Sequence, residues 1–203
     1  MSEQVSIKKG VDVELNIESL AFGGMGIAHF EDMVTFVKNA IPGQKVTARI
    51  TKKRSSYLEA QSLEVLSQSP HFINVKCKHF ADCGGCTFQN LDYAHQTSAK
   101  QLQVQDIFQR IGGFSDVHCE PIVICSETYN YRNKMEFTFS SQEYIPESEK
   151  NREPTGFVLG LHAPERWDKI LDINECQIQS NIANEILADI KELTRDLEPY
   201  NIR

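Results

Sequence analysis

Three cysteines packed into one short loop, Cys77-Lys-His-Phe-Ala-Asp-Cys83-Gly-Gly-Cys86, constrain this chain more than any other feature. Thiols so close together rarely all pack as small hydrophobes, and the glycines at 84 and 85 let the backbone fold tightly around them. The loop therefore reads as most of a metal centre. Cys176, within Asp172-Ile-Asn-Glu-Cys-Gln-Ile178, offers a remote fourth ligand. Three clustered cysteines closed by one distant partner are common in four-cysteine iron–sulfur clusters, whereas structural zinc more often uses two short Cys or His pairs. On donor chemistry both metals stay open, and so does His79, lying between the cysteines, as an alternative ligand. A disulfide is disfavoured, because no signal peptide precedes the chain and a cytoplasmic protein keeps its thiols reduced. Cys119 and Cys125 are expected to pack as buried apolar side chains.

The net charge of −7 is unevenly spread over the 203 residues. Residues 1–78 hold a slight excess of Lys and Arg, and residues 79–203 a strong excess of Asp and Glu. A polyanionic partner is therefore expected to meet the N-terminal part. No apolar run approaches the length of a transmembrane helix, so no membrane partner is expected. Residues 1–66 read as short strands with turn punctuation and no helical period. Val11–Ile17 alternates strictly, Gly23-Gly24-Met-Gly26 marks a tight bend, and Met33–Val37, Val46–Ile50 and Tyr57–Leu63 follow. About five strands in so short a stretch fit a closed barrel of the oligonucleotide-binding type; an open meander would leave its edges unprotected.

The motifs Phe22-Gly-Gly-Met-Gly-Ile-Ala28, Thr35-Phe-Val37, Ile41-Pro-Gly43 and Tyr57 resemble those of a TRAM domain, an RNA-binding barrel carried by several RNA-modifying enzymes. In that setting Lys45, Arg49, Lys52, Lys53 and Arg54 read as a phosphate-contacting stripe, with a solvated loop as the alternative.

Residues 70–203 read as an α+β domain on an antiparallel sheet. Asp92 caps a helix whose Val104, Ile107, Phe108 and Ile111 share one face and are expected in the core. Tyr131–Phe139 alternates as a strand with Met135, Phe137 and Phe139 on one side. Arg132 and Lys134 then lie on the other, poised for phosphates, with Tyr131 as a stacking surface; a local ion pair to Glu136 is the alternative. Gln142–Thr155 is a hairpin loop, Gly156–Leu161 and Lys169–Ile173 are strands, and Ile182, Ile186, Ile190, Leu193 and Leu197 line a closing helix stopped by Pro199.

Taken in order, the barrel motifs, the cysteine loop, Tyr131-Arg-Asn-Lys134, Gly160-Leu-His162 and Asp172-Ile-Asn-Glu-Cys176-Gln-Ile resemble the N-terminal part of the TRAM-containing, iron–sulfur-dependent RNA uracil-5-methyltransferases of the 23S ribosomal type. The resemblance implies a [4Fe–4S] cluster on Cys77, Cys83, Cys86 and Cys176, a cytoplasmic protein and an RNA partner, 23S rRNA, with no DNA. It also implies S-adenosylmethionine, but only in a doubly wound catalytic domain. No strand–glycine-rich turn–helix signature for such a domain occurs here, and neither Cys119 nor Cys125 sits in a catalytic motif. No catalytic residue is therefore assigned, and the chain alone is expected to be inactive. A stand-alone, non-catalytic RNA-binding iron–sulfur protein is the alternative.

Overall fold

The computed structural model describes residues 8–197 as two compact units. Unit 1 holds the chain up to Asn74 together with Thr87–Ile124, and unit 2 holds Val75–Cys86 together with the chain from Cys125. The chain thus leaves the barrel, forms the cysteine loop, returns for a helix and leaves again. The sequence reading, with a cut near residue 70, placed that helix in the second domain; the structure groups it with the first.

Unit 1 is built on strands β1 (Asp12–Asn16), β2 (Ser19–Leu20), β3 (Gly26–Phe30), β4 (Met33–Lys38), β5 (Lys45–Lys53) and β6 (Tyr57–Ser67), hydrogen-bonded in the order β1-β5-β6-β4-β3-β2. β1 and β2 are two halves of one bent segment. Its first half pairs with β5, and its second half pairs with β3 after Glu18 N–H donates to the Ile27 carbonyl. The segment therefore joins both edges and closes the sheet, which removes the unpaired backbone an open meander would expose. Irregular register between β5 and β6 at Lys45/Val46, Thr47/Ala48 and Ile50/Lys52 supplies the bending that closure needs. Strict alternation sends Val13 and Leu15 inward, where they meet Val37, Val46, Ile50 and Leu58. At Gly24, with φ of +89°, an added Cβ would lie 2.3 Å from Thr87 Cγ2, so the glycine-rich bend is a close approach as well as a turn.

Helix α1 (Tyr93–Asp106) starts as expected: the Asp92 side chain accepts from His95 N–H. Its apolar stripe does not behave as expected. Val104 and Phe108 are exposed by almost half and Ile111 by 83%. The side chains that turn toward the barrel are Ala99, packed with the Leu20, Ile41 and Leu91 cluster, and Gln103, whose amide donates to the Leu20 and Ala21 carbonyls at 3.0 Å each. A turn of π-helix at Ile107–Ile111 changes the residue spacing within the stripe, so the i, i+3, i+4, i+7 rule fails there.

Unit 2 contains an antiparallel sheet of β7 (Thr138–Ser140), β8 (Val158–Ala163) and β9 (Arg166–Asp172), followed by helix α2 (Asn181–Thr194). Leu159, Leu171, Ile173 and Leu187 form its core, with Cys83 and Cys176 packed against them. The expected long strand Tyr131–Phe139 shrinks to β7, because before Thr138 only Arg132 finds a bridge partner, Gln179. On α2 it is Leu187 that is buried, whereas Ile182, Ile186, Leu193 and Leu197 are mostly exposed. Pro199 lies outside the described residues. No described helix is long and apolar enough to cross a membrane.

The loop between β7 and β8 is held by a buried carboxylate. Glu143, with a side chain 2% exposed, accepts from Arg152, from Thr155 N–H at 2.8 Å and from Thr155 Oγ1 at 3.1 Å. Burial alone would raise its pKa, but Arg152 and Thr155 together outweigh burial and hold it below the usual carboxylate value. A carboxylate with a lowered folded pKa contributes stability that is present above the unfolded value, 4.5, and lost as pH falls through the folded one. Glu143→Gln is therefore expected to cost about 2–3 kcal/mol at neutral pH. In circular-dichroism melts the variant's deficit should shrink as pH falls below 4.5; a deficit independent of pH would contradict the assignment.

Candidate metal centre and nucleic-acid interface

The cysteine loop is wound by short turns: Phe80 N–H donates to the Cys77 carbonyl, and Asp82 and Cys83 N–H both donate to the His79 carbonyl. Gly85 N–H points at Cys83 Sγ, 3.4 Å away. A side chain at Gly84 would crowd the His162 carbonyl at 3.3 Å, so the glycines let the loop lie against the end of β8. The remote cysteine is fixed from α2. Asn184 Oδ1 accepts from Cys176 N–H at 2.8 Å, and Asn184 Nδ2 donates to the Cys176 carbonyl at 3.1 Å. The first turn of a capped helix thereby sets the position of a thiol on the preceding loop.

All four cysteines of the loop-plus-one set belong to unit 2, and none is in a disulfide. They feel one another: burial pushes the Cys83 thiol up, and the thiols of Cys86, Cys77 and Cys176 push the same way against the Gly85 N–H. Cys77 is raised by the same causes, burial first, with Cys176 and Cys86 adding to it. Among the described residues no three of these sulfurs lie within 4.8 Å of one another. The thiols are therefore not drawn together around one ion in this structure. His79 is half-buried; burial, then Lys78, lowers its pKa, and its Nε2 has no hydrogen-bond partner among the described residues. Of the two remaining cysteines, Cys125 is exposed rather than buried, and Cys119 is intermediate.

The basic stripe is zwitterionic. Lys45 pairs with Glu14 at 2.6 Å, Arg49 grips Asp12 with two hydrogen bonds, and Lys52 pairs with Glu59 at 2.6 Å. Arg49 holds the Asp12 carboxyl below its ordinary value, and Lys52 does the same to Glu59. Lys53 and Arg54 continue past these pairs to the turn before β6. The sequence shows the cations; it does not show that antiparallel register sets Asp12 opposite Arg49. It also gave no hint of a hollow of about 1030 Å³ in unit 1 whose lining includes Phe36, Tyr57, His29 and Arg110. Phe36 and Tyr57 meet edge-to-face there, 5.6 Å between centroids, on the parallel pair β4–β6.

In unit 2, Lys134 forms a local ion pair with Glu136 at 2.7 Å, both well exposed. Arg132 is not opposite the apolar set. With no ladder to impose a period of two, it lines a hollow of about 480 Å³ together with Met135, Phe137 and Phe139, and its Nε donates to the Lys134 carbonyl. Tyr131 is 61% exposed.

Residues 8–63 match the TRAM domain family. Over 98% of its length the chain is 34% identical to an "Uncharacterized RNA methyltransferase" of Chlorobaculum tepidum, of which it covers 43%. It is 37% identical, again over 98% of its length, to an RNA methyltransferase of Clostridium tetani, of which it covers 42%. The chain thus spans about two fifths of the length of these curated relatives. Among solved structures, Pyrococcus abyssi tRNA (uracil-54, C5)-methyltransferase, in complex with S-adenosyl-L-homocysteine, superposes with a TM-score of 0.57 over 90% of this chain and 37% of its own, at 22% identity. At that identity the likeness is one of fold. The chain therefore carries a TRAM domain and shares the fold of part of that solved methyltransferase.

Proposed function

We propose that this chain is the RNA-recognition and iron–sulfur portion of an S-adenosylmethionine-dependent RNA uracil-C5 methyltransferase, with 23S ribosomal RNA as its substrate. The observation that carries the reading is the alignment of nearly the whole chain with proteins named as RNA methyltransferases.

Cys77, Cys83, Cys86 and Cys176 would hold a [4Fe–4S] cluster. Their common unit, their mutual electrostatic effect and the three-plus-one spacing support this reading. The Gly85 N–H aimed at Cys83 Sγ is the kind of donor that tunes a cluster sulfur. Bound, the cluster supplies a rigid tie between the loop and the Cys176 segment. The residues described here do not fit S-adenosylmethionine in the same way: among them the one parallel strand pair is β4–β6, inside the barrel, and no doubly wound sheet is formed. No methyl-transfer step is derived from them.

On the barrel, Phe36 and Tyr57 offer faces for an unstacked base, worth about 1–3 kcal/mol per base, and Lys52, Lys53 and Arg54 offer the charge. Because Lys45, Arg49 and Lys52 already hold carboxylates, RNA phosphates must displace those partners, which favours modest affinity. With single-stranded RNA each phosphate contact contributes a log–log salt slope of about −0.7. The test is binding of 23S rRNA hairpins and of transfer RNA across a salt series. Lys52→Glu with Arg54→Glu should lower affinity and flatten the slope by about 1.4. Unchanged affinity and slope would reduce the stripe to a solvated face, and preference for transfer RNA would overturn the ribosomal assignment.

A further inference from the structure

Unit 1 contains a side-chain constellation that neither the barrel nor the cysteine set uses. His71, Asp92 and His95 each present a ligand atom, all within 4.8 Å of one another. His95 Nδ1 lies 2.8 Å from both Asp92 carboxylate oxygens, and His71 Nδ1 lies 3.8 Å from Asp92 Oδ2. The two imidazoles stack with centroids 3.3 Å apart and planes 21° from parallel.

The backbone fixes this arrangement. Asp92 N–H donates to the His71 carbonyl at 3.0 Å, Ile73 N–H donates to the Asn90 carbonyl at 3.0 Å, and Phe72 bridges to the buried Leu91. His71 N–H is held in turn by Ser69 Oγ at 3.1 Å. Asp92 is locked as the cap of α1, with one oxygen on His95 N–H at 2.9 Å. A helix cap accounts for Asp92 and for the His95 contact. It does not account for His71, brought against the second ring with its Nδ1 beyond hydrogen-bond length of the carboxylate.

A cation does account for it. Metal–nitrogen and metal–oxygen bonds of about 2.0–2.2 Å at a tetrahedral angle set donor atoms about 3.4 Å apart, and the observed 2.8 and 3.8 Å lie on either side of that value. Small turns of the two rings would bring both nitrogens to one ion. The three side chains are between 31% and 44% exposed, which leaves a fourth position for water. Two imidazoles and one carboxylate suit zinc, nickel or copper; magnesium and calcium prefer all-oxygen shells. We propose that His71, Asp92 and His95 form a site for a divalent cation of the zinc class. Filled, it pins the chain after β6 to the first turn of α1.

The test is zinc titration of the full chain, followed by NMR of the imidazole nitrogens, with zinc added beyond what the thiols take up. Reading the rings directly separates this site from the cysteines. The expected result is that His71 and His95 shift together with one midpoint while magnesium moves neither. His71→Ala should then raise the midpoint seen at His95 by at least about tenfold, and His71→Gln does the same if the alanine variant melts early. Rings that stay put at millimolar zinc, or a His95 midpoint indifferent to both His71 variants, would overturn the site.

Discussion

Cys83→Ser is expected to leave the chain colourless and to unfold unit 2. Purified without oxygen, the wild-type chain should be brown and carry about four irons and four sulfides, the composition of a [4Fe–4S] cluster. Cys83 is packed against the Leu159, Leu171, Ile173 and Leu187 core and takes the Gly85 N–H on its sulfur, so its removal strikes the proposed cluster and the packing together. That core is small, and metal binding at such a site is folding free energy in itself. Losing the cluster should therefore abolish the cooperative melting of unit 2 rather than lower its midpoint. Cys125→Ser is the control: this thiol is exposed and lies outside the loop-plus-one set, so colour and melting should persist. One zinc per chain with no visible absorption would sink the assignment.

Gly160→Ala should be nearly as severe, through backbone alone. Gly160 lies in β8, the central strand, opposite Thr138 on one side and Asp172 on the other. A Cβ built there falls 1.8 Å from the Leu171 carbonyl oxygen and 3.0 Å from Ile173 N. Neither is a flexible side-chain end, so β9 has to move. β9 leads directly to Cys176, and its displacement pulls the fourth thiol away from the loop. The expected loss exceeds about 4 kcal/mol, beyond what most single substitutions cost. The measurement is denaturant unfolding alongside iron content; an alanine variant with wild-type stability and full iron would mean that the strands are spaced more loosely than described.

Legibility in the sequence followed the physics of each element. β1 was readable because Val13 and Leu15 alternate with polar residues on a half-buried strand, and the α1 start was readable because Asp92 is a local capping signal. The two helix faces misled for one reason. Apolar spacing reports which residues could be buried, while burial depends on what packs against them. Ala99 and Gln103 meet the barrel through close approach and carbonyl hydrogen bonds, which no hydrophobic pattern encodes. The strand at Tyr131–Phe139 failed because alternation needs a ladder, and the ladder is non-local. Spacing singles out the cysteine loop, and the structure places its three thiols and Cys176 together in unit 2. The pairing of Lys45, Arg49 and Lys52 with acids was not legible, since it rests on register across strands, and the His71–Asp92–His95 group joins residues from either side of the cysteine loop.

The interleaving of the two units has a consequence for how the protein is made. Cys77, Cys83 and Cys86 leave the ribosome first, the chain then goes back to finish unit 1, and Cys176 follows about 90 residues after Cys86. At about 5–20 residues per second, three thiols wait on the order of ten seconds for their fourth. During that interval they are exposed to oxidants and to scavenging metals. For the proposed cluster this order favours late loading of iron and sulfide, after α2 has emerged and Asn184 has fixed the Cys176 backbone. Ribosome-bound chains stalled before residue 176 should then carry no cluster, whereas chains stalled well beyond α2 should accept one.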